Sequence, residues 1–313
     1  MRIAIIDLGT NTFNLLIADL HTDGTYATLY KNKIASKLGE GGINLGVILP
    51  VPFQRGLHAL KAHQQVILEY GVEKVYALAT SAIRSAVNGD EFITIAARET
   101  GIQIEMISGD REAELIYYGV RSAVKMDKRL SLIMDIGGGS TEFIIADNEK
   151  IFWKQSFLLG AARLLERFHE SDPITPREAE ALSAYLMQEL QPLFEAVKKY
   201  PVHELLGSSG SFDSLAEMVA HRYHSIDILH GKTEYTFHLE DTTAIFNEIL
   251  LSTRAERLRM KGLIEMRVDM IVVSVIFVRL LLSHLQIHHM RLSTYSLKEG
   301  VLWELLHPSV ASH

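Results

Sequence analysis

The sequence predicts an α/β protein of two similarly built domains facing a central cleft, and three observations carry that expectation. The first is a repeated turn: residues 7–19, Asp-Leu-Gly-Thr-Asn-Thr-Phe-Asn-Leu-Leu-Ile-Ala-Asp, return in altered form at 135–147 as Asp-Ile-Gly-Gly-Gly-Ser-Thr-Glu-Phe-Ile-Ile-Ala-Asp. Each copy joins two apolar runs through a polar glycine turn, which reads as strand, turn, strand. The second is a repeated order of elements, traced below. The third is size: 313 residues, 48% apolar and 22% charged, suffice for two domains with filled cores.

The first half opens with strands at Ile3–Ile6, Phe13–Ala18 and Tyr26–Tyr30, followed by a glycine loop at Leu38–Ile43. A helical period over Pro52–Glu69, a strand at Val75–Ala79, a helix after Asn88, a short strand at Ile102–Met106 and a helix over Asp110–Val120 complete a β-β-β-α-β-α-β-α unit. The second half repeats the opening with strands at Leu130–Ile136, Thr141–Ala146 and Ile151–Phe157. Helices at Gly160–His169 and Pro176–Lys199, a strand at Glu204–Leu206 and a helix at Ser211–His221 follow. A long helical tract over Leu239–His284, a strand at Met290–Ser293 and a helix at Leu297–His307 end the unit. The charged segment 122–129, which lacks periodicity, is the expected boundary. Domains are therefore expected at 1–123 and 124–313, with the last helix, about 297–307, free to pack back on the first.

Composition narrows the function. Without cysteine, disulfides, thiolate metal sites and thiol nucleophiles are excluded. The apolar run before Asp7 is too short for a signal peptide, and Met270–Leu282, interrupted by Ser274 and Arg279, falls short of the ~20 residues a membrane span needs. A cytoplasmic protein with no membrane partner is expected. A net charge of −7 argues against nucleic-acid binding and requires any polyanionic ligand to meet local positive clusters. The densest cluster holds Arg254, Arg257, Arg259, Lys261 and Arg267, and fits either a polyanion site or a solvated helix face.

The turns themselves can hold phosphate. Glycine lets backbone approach an anion, hydroxyls of Thr10, Thr12, Ser140 and Thr141 add donors, and Asp7 and Asp135 stand where a hard cation could bridge to the ligand. A single such turn is more often a plain hairpin; its recurrence 128 residues later, with Asp, first Gly and hydroxyl in register, is hard to explain by hairpin geometry alone. The third glycine of a dinucleotide fingerprint is missing, and no Gly-Lys-Ser/Thr follows either turn.

A duplicated unit of this order, with Asp-x-Gly turns on both cleft walls, resembles the ribonuclease H-like (actin-like) superfamily of sugar and acetate kinases and Hsp70 ATPases. Six ordered motifs narrow the resemblance: Ile6-Asp-Leu-Gly-Thr-Asn-Thr-Phe13, Ala79-Thr-Ser-Ala-Ile-Arg84, Ile107-Ser-Gly-Asp-Arg-Glu-Ala113, Asp135-Ile-Gly-Gly-Gly-Ser-Thr-Glu142, Gly207-Ser-Ser-Gly-Ser211 and Leu297-Lys-Glu-Gly-Val-Leu302. Their order is similar to that of the exopolyphosphatase and guanosine pentaphosphate phosphatase family, over nearly the whole chain. The resemblance implies Glu112 as catalytic base, and Asp135 and Glu142, with Asp7, as carboxylates of a Mg²⁺ and water site. It implies Arg84 and Arg267 as phosphate ligands, and cradles at Gly9, Thr10, Asn11 and Thr12 and at Gly137, Gly138, Gly139, Ser140 and Thr141. It further implies a homodimer that removes terminal phosphate from inorganic polyphosphate, with guanosine pentaphosphate as the alternative substrate. An actin-like kinase and a non-catalytic phosphate or nucleotide sensor are the readings from other classes. Lys298 stands where the family usually has Arg, and Ser293-Thr-Tyr-Ser296 lacks an Asp common there. The C-terminal helical domains of longer exopolyphosphatases have no counterpart before His313, so short chains attacked distributively are expected.

Overall fold

A computed structural model describes residues 1–308. The first sheet contains β1 (Arg2–Leu8), β2 (Thr12–Leu20), β3 (Tyr26–Ala35), β4 (Lys74–Ala79) and β5 (Ile104–Met106), with helices α1 (Pro50–Glu69), α2 (Ser81–Arg84), α3 (Gly89–Thr100) and α4 (Gly109–Ala123) in the intervals. Its order is β3-β2-β1-β4-β5, with the first three strands antiparallel and the last two added in parallel. The second sheet begins the same way, with β6 (Ser131–Ile136), β7 (Thr141–Ala146) and β8 (Ile151–Phe157). Helices α5 (Ala161–Phe168), α6 (Pro176–Glu189) and α7 (Gln191–Lys199) lead to β9 (Glu204–Ser208) and α8 (Gly210–Tyr223). After β10 (Glu234–Thr236) come α9 (Leu239–Leu251), α10 (Arg254–Arg257), α11 (Met270–His284), β11 (Met290–Ser293) and α12 (Leu297–Leu306). The order β10-β11-β9-β6-β7-β8 keeps the antiparallel start and parallel additions, and an antiparallel edge strand, β10, joins them.

Strand alternation explains the layering. Ile3 and Ile5 of β1 face one way and Ala4, Ile6 and Leu8 the other, so both faces of the sheet are apolar and both must be covered. On the outer face lie α1 and α3. On the inner face lie α4 and α12, which also cover Ile133, Ile144 and Leu206 of the second sheet, making a middle layer shared by the two lobes. The helices cross closely: a Cβ on Gly300 would fall 1.8 Å from Leu115 O, and one on Gly119 2.0 Å from Ser296 O. Any side chain there would drive the helices apart. The outer face of the second sheet carries the largest core, built around α6 to α9 and α11.

Two expected helices are broken. The tract over Pro176–Lys199 divides at Leu190 because Pro192 opens a new helix there. The tract over Leu239–His284 splits into α9, α10 and α11, interrupted at Ser252 and by a capping box in which Thr253 and Glu256 serve each other. The apolar α11 is core, and no helix among the described residues is long and apolar enough to cross a membrane.

Candidate active site

The sheets aim the two glycine turns at one another. Asp7 pairs with Asn14 across β1 and β2, and Asp135 pairs with Glu142 across β6 and β7, so each turn carries its carboxylate at the same place. The turns also close alike: a Cβ would lie 3.0 Å from Thr12 O at Gly9 and 3.0 Å from Ser140 O at Gly137. They touch across the lobes, since a Cβ on Gly138 would fall 2.4 Å from Asn11 Nδ2 and one on Gly139 2.6 Å from Thr10 Oγ1.

Of the expected site residues, Asp7, Gly9, Thr10, Asn11, Thr12, Glu112, Asp135, Gly137, Gly138, Gly139, Ser140 and Arg267 line one cavity of about 140 Å³. A water occupies about 30 Å³ of liquid, so the cavity takes a small anion or the end of a larger one. Three residues stand outside its lining. Glu142 sits beside Asp135 and accepts a hydrogen bond from Ser156 Oγ at 2.7 Å. Arg84 stands behind Glu112, donating to its Oε2 at 2.9 Å and to Ile107 O at 3.0 Å. Thr141 turns away, its hydroxyl donating to Leu159 O.

Local sequence explains how Glu112 reaches the cleft. Ser108 caps α4 by accepting from Arg111 N at 3.1 Å, which sets Glu112 in the first turn, where the helix dipole favours a carboxylate. Gly109 lets that helix end press against β8 of the other lobe: a Cβ there would fall 2.4 Å from Ser156 Cβ. Glu112 of the first lobe therefore approaches Glu142 of the second.

The carboxylates raise one another. Burial pushes Glu142 up to about 7, and the charge of Asp135 adds to the rise, while Ser140 and Ser156 oppose it. Burial also pushes Glu112 well above the usual carboxylate range, Glu142 adds to it, and Arg84 only partly offsets both. Asp7 is raised by burial, with Asp135 contributing and Lys298 and Asn14 opposing. Asp135 itself accepts from Ser209 Oγ at 2.8 Å and Ser296 Oγ at 2.5 Å. Ser209 holds a left-handed φ of 70°, a costly conformation for a non-glycine residue, immediately before α8.

The same cavity is lined by three cations, Lys33, Arg267 and Lys298, whose side chains have no hydrogen-bond or ion-pair partner among the described residues. The Arg267 guanidinium lies flat against the start of α8, where a Cβ on Gly210 would fall 1.8 Å from Nη2. Ser81 Oγ is buried without a partner and faces Gly139. These orphaned donors, the glycine cradle and the repelling carboxylates suit a phosphate anion accompanied by a hard cation. Sequence reasoning overlooked Lys33, Ser81 and Asp213, the last a carboxylate in the same cavity wall whose pKa burial raises and the charges of Lys33, Arg267 and Lys298 lower. Ser81 sits inside the motif at 79–84, whereas Lys33 on an outer strand has the pattern of a solvated lysine.

The basic cluster divides. Arg257 is buried, donating to Val268 O, Ser252 O and Asp172, and Arg254 pairs with Asp269 at 3.0 Å. These two arginines hold the second lobe together and are not available to a polyanion.

The sequence profile of the Ppx/GppA phosphatase family matches residues 17–309. A Haemophilus influenzae protein named as an exopolyphosphatase is 30% identical over 304 residues, 97% of this chain and 91% of its own length. A guanosine-5'-triphosphate,3'-diphosphate pyrophosphatase of Vibrio vulnificus is 28% identical over 97% of this chain, which spans 59% of that relative's length. Among solved structures, an exopolyphosphatase from Cytophaga hutchinsonii is 41% identical and superimposes with a TM-score of 0.93, covering 98% of each chain. The Aquifex aeolicus PPX-GPPA enzyme is 28% identical, with a TM-score of 0.78 over 97% of this chain and 99% of that one.

Proposed function

The chain belongs to the Ppx/GppA phosphatase family and has its two-domain actin-like fold; from that premise we propose that it hydrolyses the terminal phosphoanhydride bond of inorganic polyphosphate with Mg²⁺. One observation carries this reading most: Glu112, held by Arg84, reaches the same cavity as both glycine turns and three unpartnered cations.

In the proposed reaction the turn amides at Gly9–Thr12 and Gly137–Ser140, with Arg267 and Lys298, hold the terminal phosphoryl group. Glu112 takes a proton from water as its oxygen bonds to phosphorus. The bond to the bridging oxygen breaks, and the chain leaves one phosphate shorter. Arg84 fixes the Glu112 carboxylate, and its charge favours the ionised form that a base requires. Asp7 and Asp135 would hold Mg²⁺, which neutralises charge on the phosphoryl oxygens. No three carboxylates or histidines among the described residues make a ready cage, so phosphate oxygens and water would complete the shell. The narrow cavity favours a chain end over a chain middle. A cytoplasmic homodimer completes the proposal, resting on the composition and the family resemblance.

A second reading, guanosine pentaphosphate as substrate, is favoured by a cavity that adjoins the cleft at Lys33 and Arg267 and has Tyr235, Ile264 and Leu292 in its wall, an apolar surface that suits a base. Phosphate release from tripolyphosphate, long polyphosphate, guanosine pentaphosphate and ATP, measured side by side with Mg²⁺, separates the readings. Polyphosphate should be hydrolysed fastest; a preference for the pentaphosphate supports the second reading, and absence of release from all four overturns both.

A further inference from the structure

A wide groove lies outside the cleft. It has a volume of about 860 Å³ and lies on the second lobe between α8, α9 and the segment after α10, with Arg222, Arg259 and Lys261 in its wall. Each of these three is exposed, and none has an ion-pair partner among the described residues, although Arg259 Nε donates to the carbonyl of Ala255. Their neighbours Arg254 and Arg257 are spent on Asp269 and Asp172. Two carboxylates share the wall, but Glu256 is turned to Thr253, which it caps. Glu256 keeps its charge, which acts on Arg259, so the wall sets three positive charges against the two of Glu248 and Glu256 and stays net positive.

The groove is joined to the cleft. Gly210, at the start of α8, lines the cleft and the adjoining cavity, and His221, near the end of that helix, lines the adjoining cavity and the groove. At 1.5 Å per residue the distance along α8 from Gly210 to His221 is about 16 Å. A short anion held in the cleft cannot span it, whereas a longer linear polyanion can follow α8 outward.

We propose that this groove is a distal anion subsite, in which Arg222, Arg259 and Lys261 bind the non-reacting part of a long inorganic polyphosphate whose end occupies the cleft. The proposal rests on the hydrolase reading and adds a determinant of chain length to it. The three cations stand far from the reacting phosphorus, so they hold substrate without taking part in bond breaking, and they serve only chains that reach them.

The test is the triple variant Arg222→Glu, Arg259→Glu, Lys261→Glu, assayed with tripolyphosphate and with long-chain polyphosphate, beside a control that reverses Arg98, Lys128 and Lys199 elsewhere on the surface. The expected result is a KM for the long chain raised about tenfold, at an unchanged kcat, from three exposed contacts worth a factor of a few each. Tripolyphosphate kinetics should be unaltered, which also reports that the variant folds, and salt should weaken the long-chain advantage of the wild type. An unchanged long-chain KM overturns the subsite. An equal rise in the control also overturns it, by showing that net charge alone acts. Failure of the wild-type protein to hydrolyse either substrate defeats the underlying function instead, and retention of long polyphosphate by the wild type but not the variant in a filter assay would then still support the groove as an anion site.

Discussion

Replacing Glu142 with Gln should make the protein more stable above neutral pH while impairing it as an enzyme. Glu142 is buried beside Asp135, and its acidity moves from an ordinary 4.5 to about 7. At about 1.4 kcal/mol per unit, ionising it in the folded cleft costs about 3 kcal/mol more than in the unfolded chain. Because the folded value is the higher one, the folded state holds its proton while the unfolded state releases it between pH 4.5 and about 7. The associated stability is therefore complete below about 4.5 and lost as pH rises through about 7. Glutamine carries no charge at any pH and can still accept from Ser156. Urea unfolding with EDTA present should find the two proteins alike near pH 4.5 and Glu142→Gln more stable at pH 8. The gain should approach about 3 kcal/mol as a ceiling, since Glu112 shares the same repulsion. Mg²⁺ should narrow the gap at pH 8 if it occupies the carboxylate cluster. A difference independent of pH, or a variant less stable at pH 8, would show that the cleft does not store this repulsion.

Asp135→Asn should raise the Mg²⁺ concentration required for half-maximal activity several-fold, because a neutral amide holds a hard cation less well; an unaltered titration would leave Asp7 as the carboxylate that matters. Arg267→Gln should lower kcat/KM about 10- to 100-fold on short and long chains alike, as expected for losing charged hydrogen bonds to a terminal phosphate. A loss confined to long chains would place Arg267 outside the reacting subsite. Polyphosphate digested in excess should yield intermediates that shrink together on a gel, the mark of distributive attack, because the exposed contacts of the distal groove are weak enough to release the chain between cuts; full-length polymer persisting beside free phosphate would show processive attack and tight retention in that groove.

The duplicated turn was the most legible part of the chain, because geometry and chemistry both constrain it: the same strands, glycine and Asp recur in register, and the fold places them face to face. Glu112 was legible through its motif, and the structure adds why Gly109 must be small for α4 to meet Ser156. Gly300 in the last motif is explained likewise by the close crossing of α4 and α12. What escaped depends on partners remote in sequence. Arg254 and Arg257 resemble a solvated basic face until Asp172 and Asp269 are seen beside them. Lys33 faces the cleft only because β3 and α12 meet across the middle layer, where Lys31 pairs with Glu299 at 3.0 Å. The break after α9 was written in the Thr253-x-x-Glu256 capping signal, which the strong helical periodicity on either side obscured.

The central claim is that Glu112 activates water at a bound phosphoryl group, and Glu112→Gln tests it most directly. The substitution keeps the size of the side chain and an acceptor for Arg84 but removes the base, whose contribution is typically ~10²–10⁴-fold in rate. With saturating Mg²⁺ and polyphosphate, the account predicts a kcat lowered by at least about a hundredfold, together with unimpaired binding of polyphosphate to the variant. A kcat near that of the wild-type protein would contradict it and assign the water to another carboxylate.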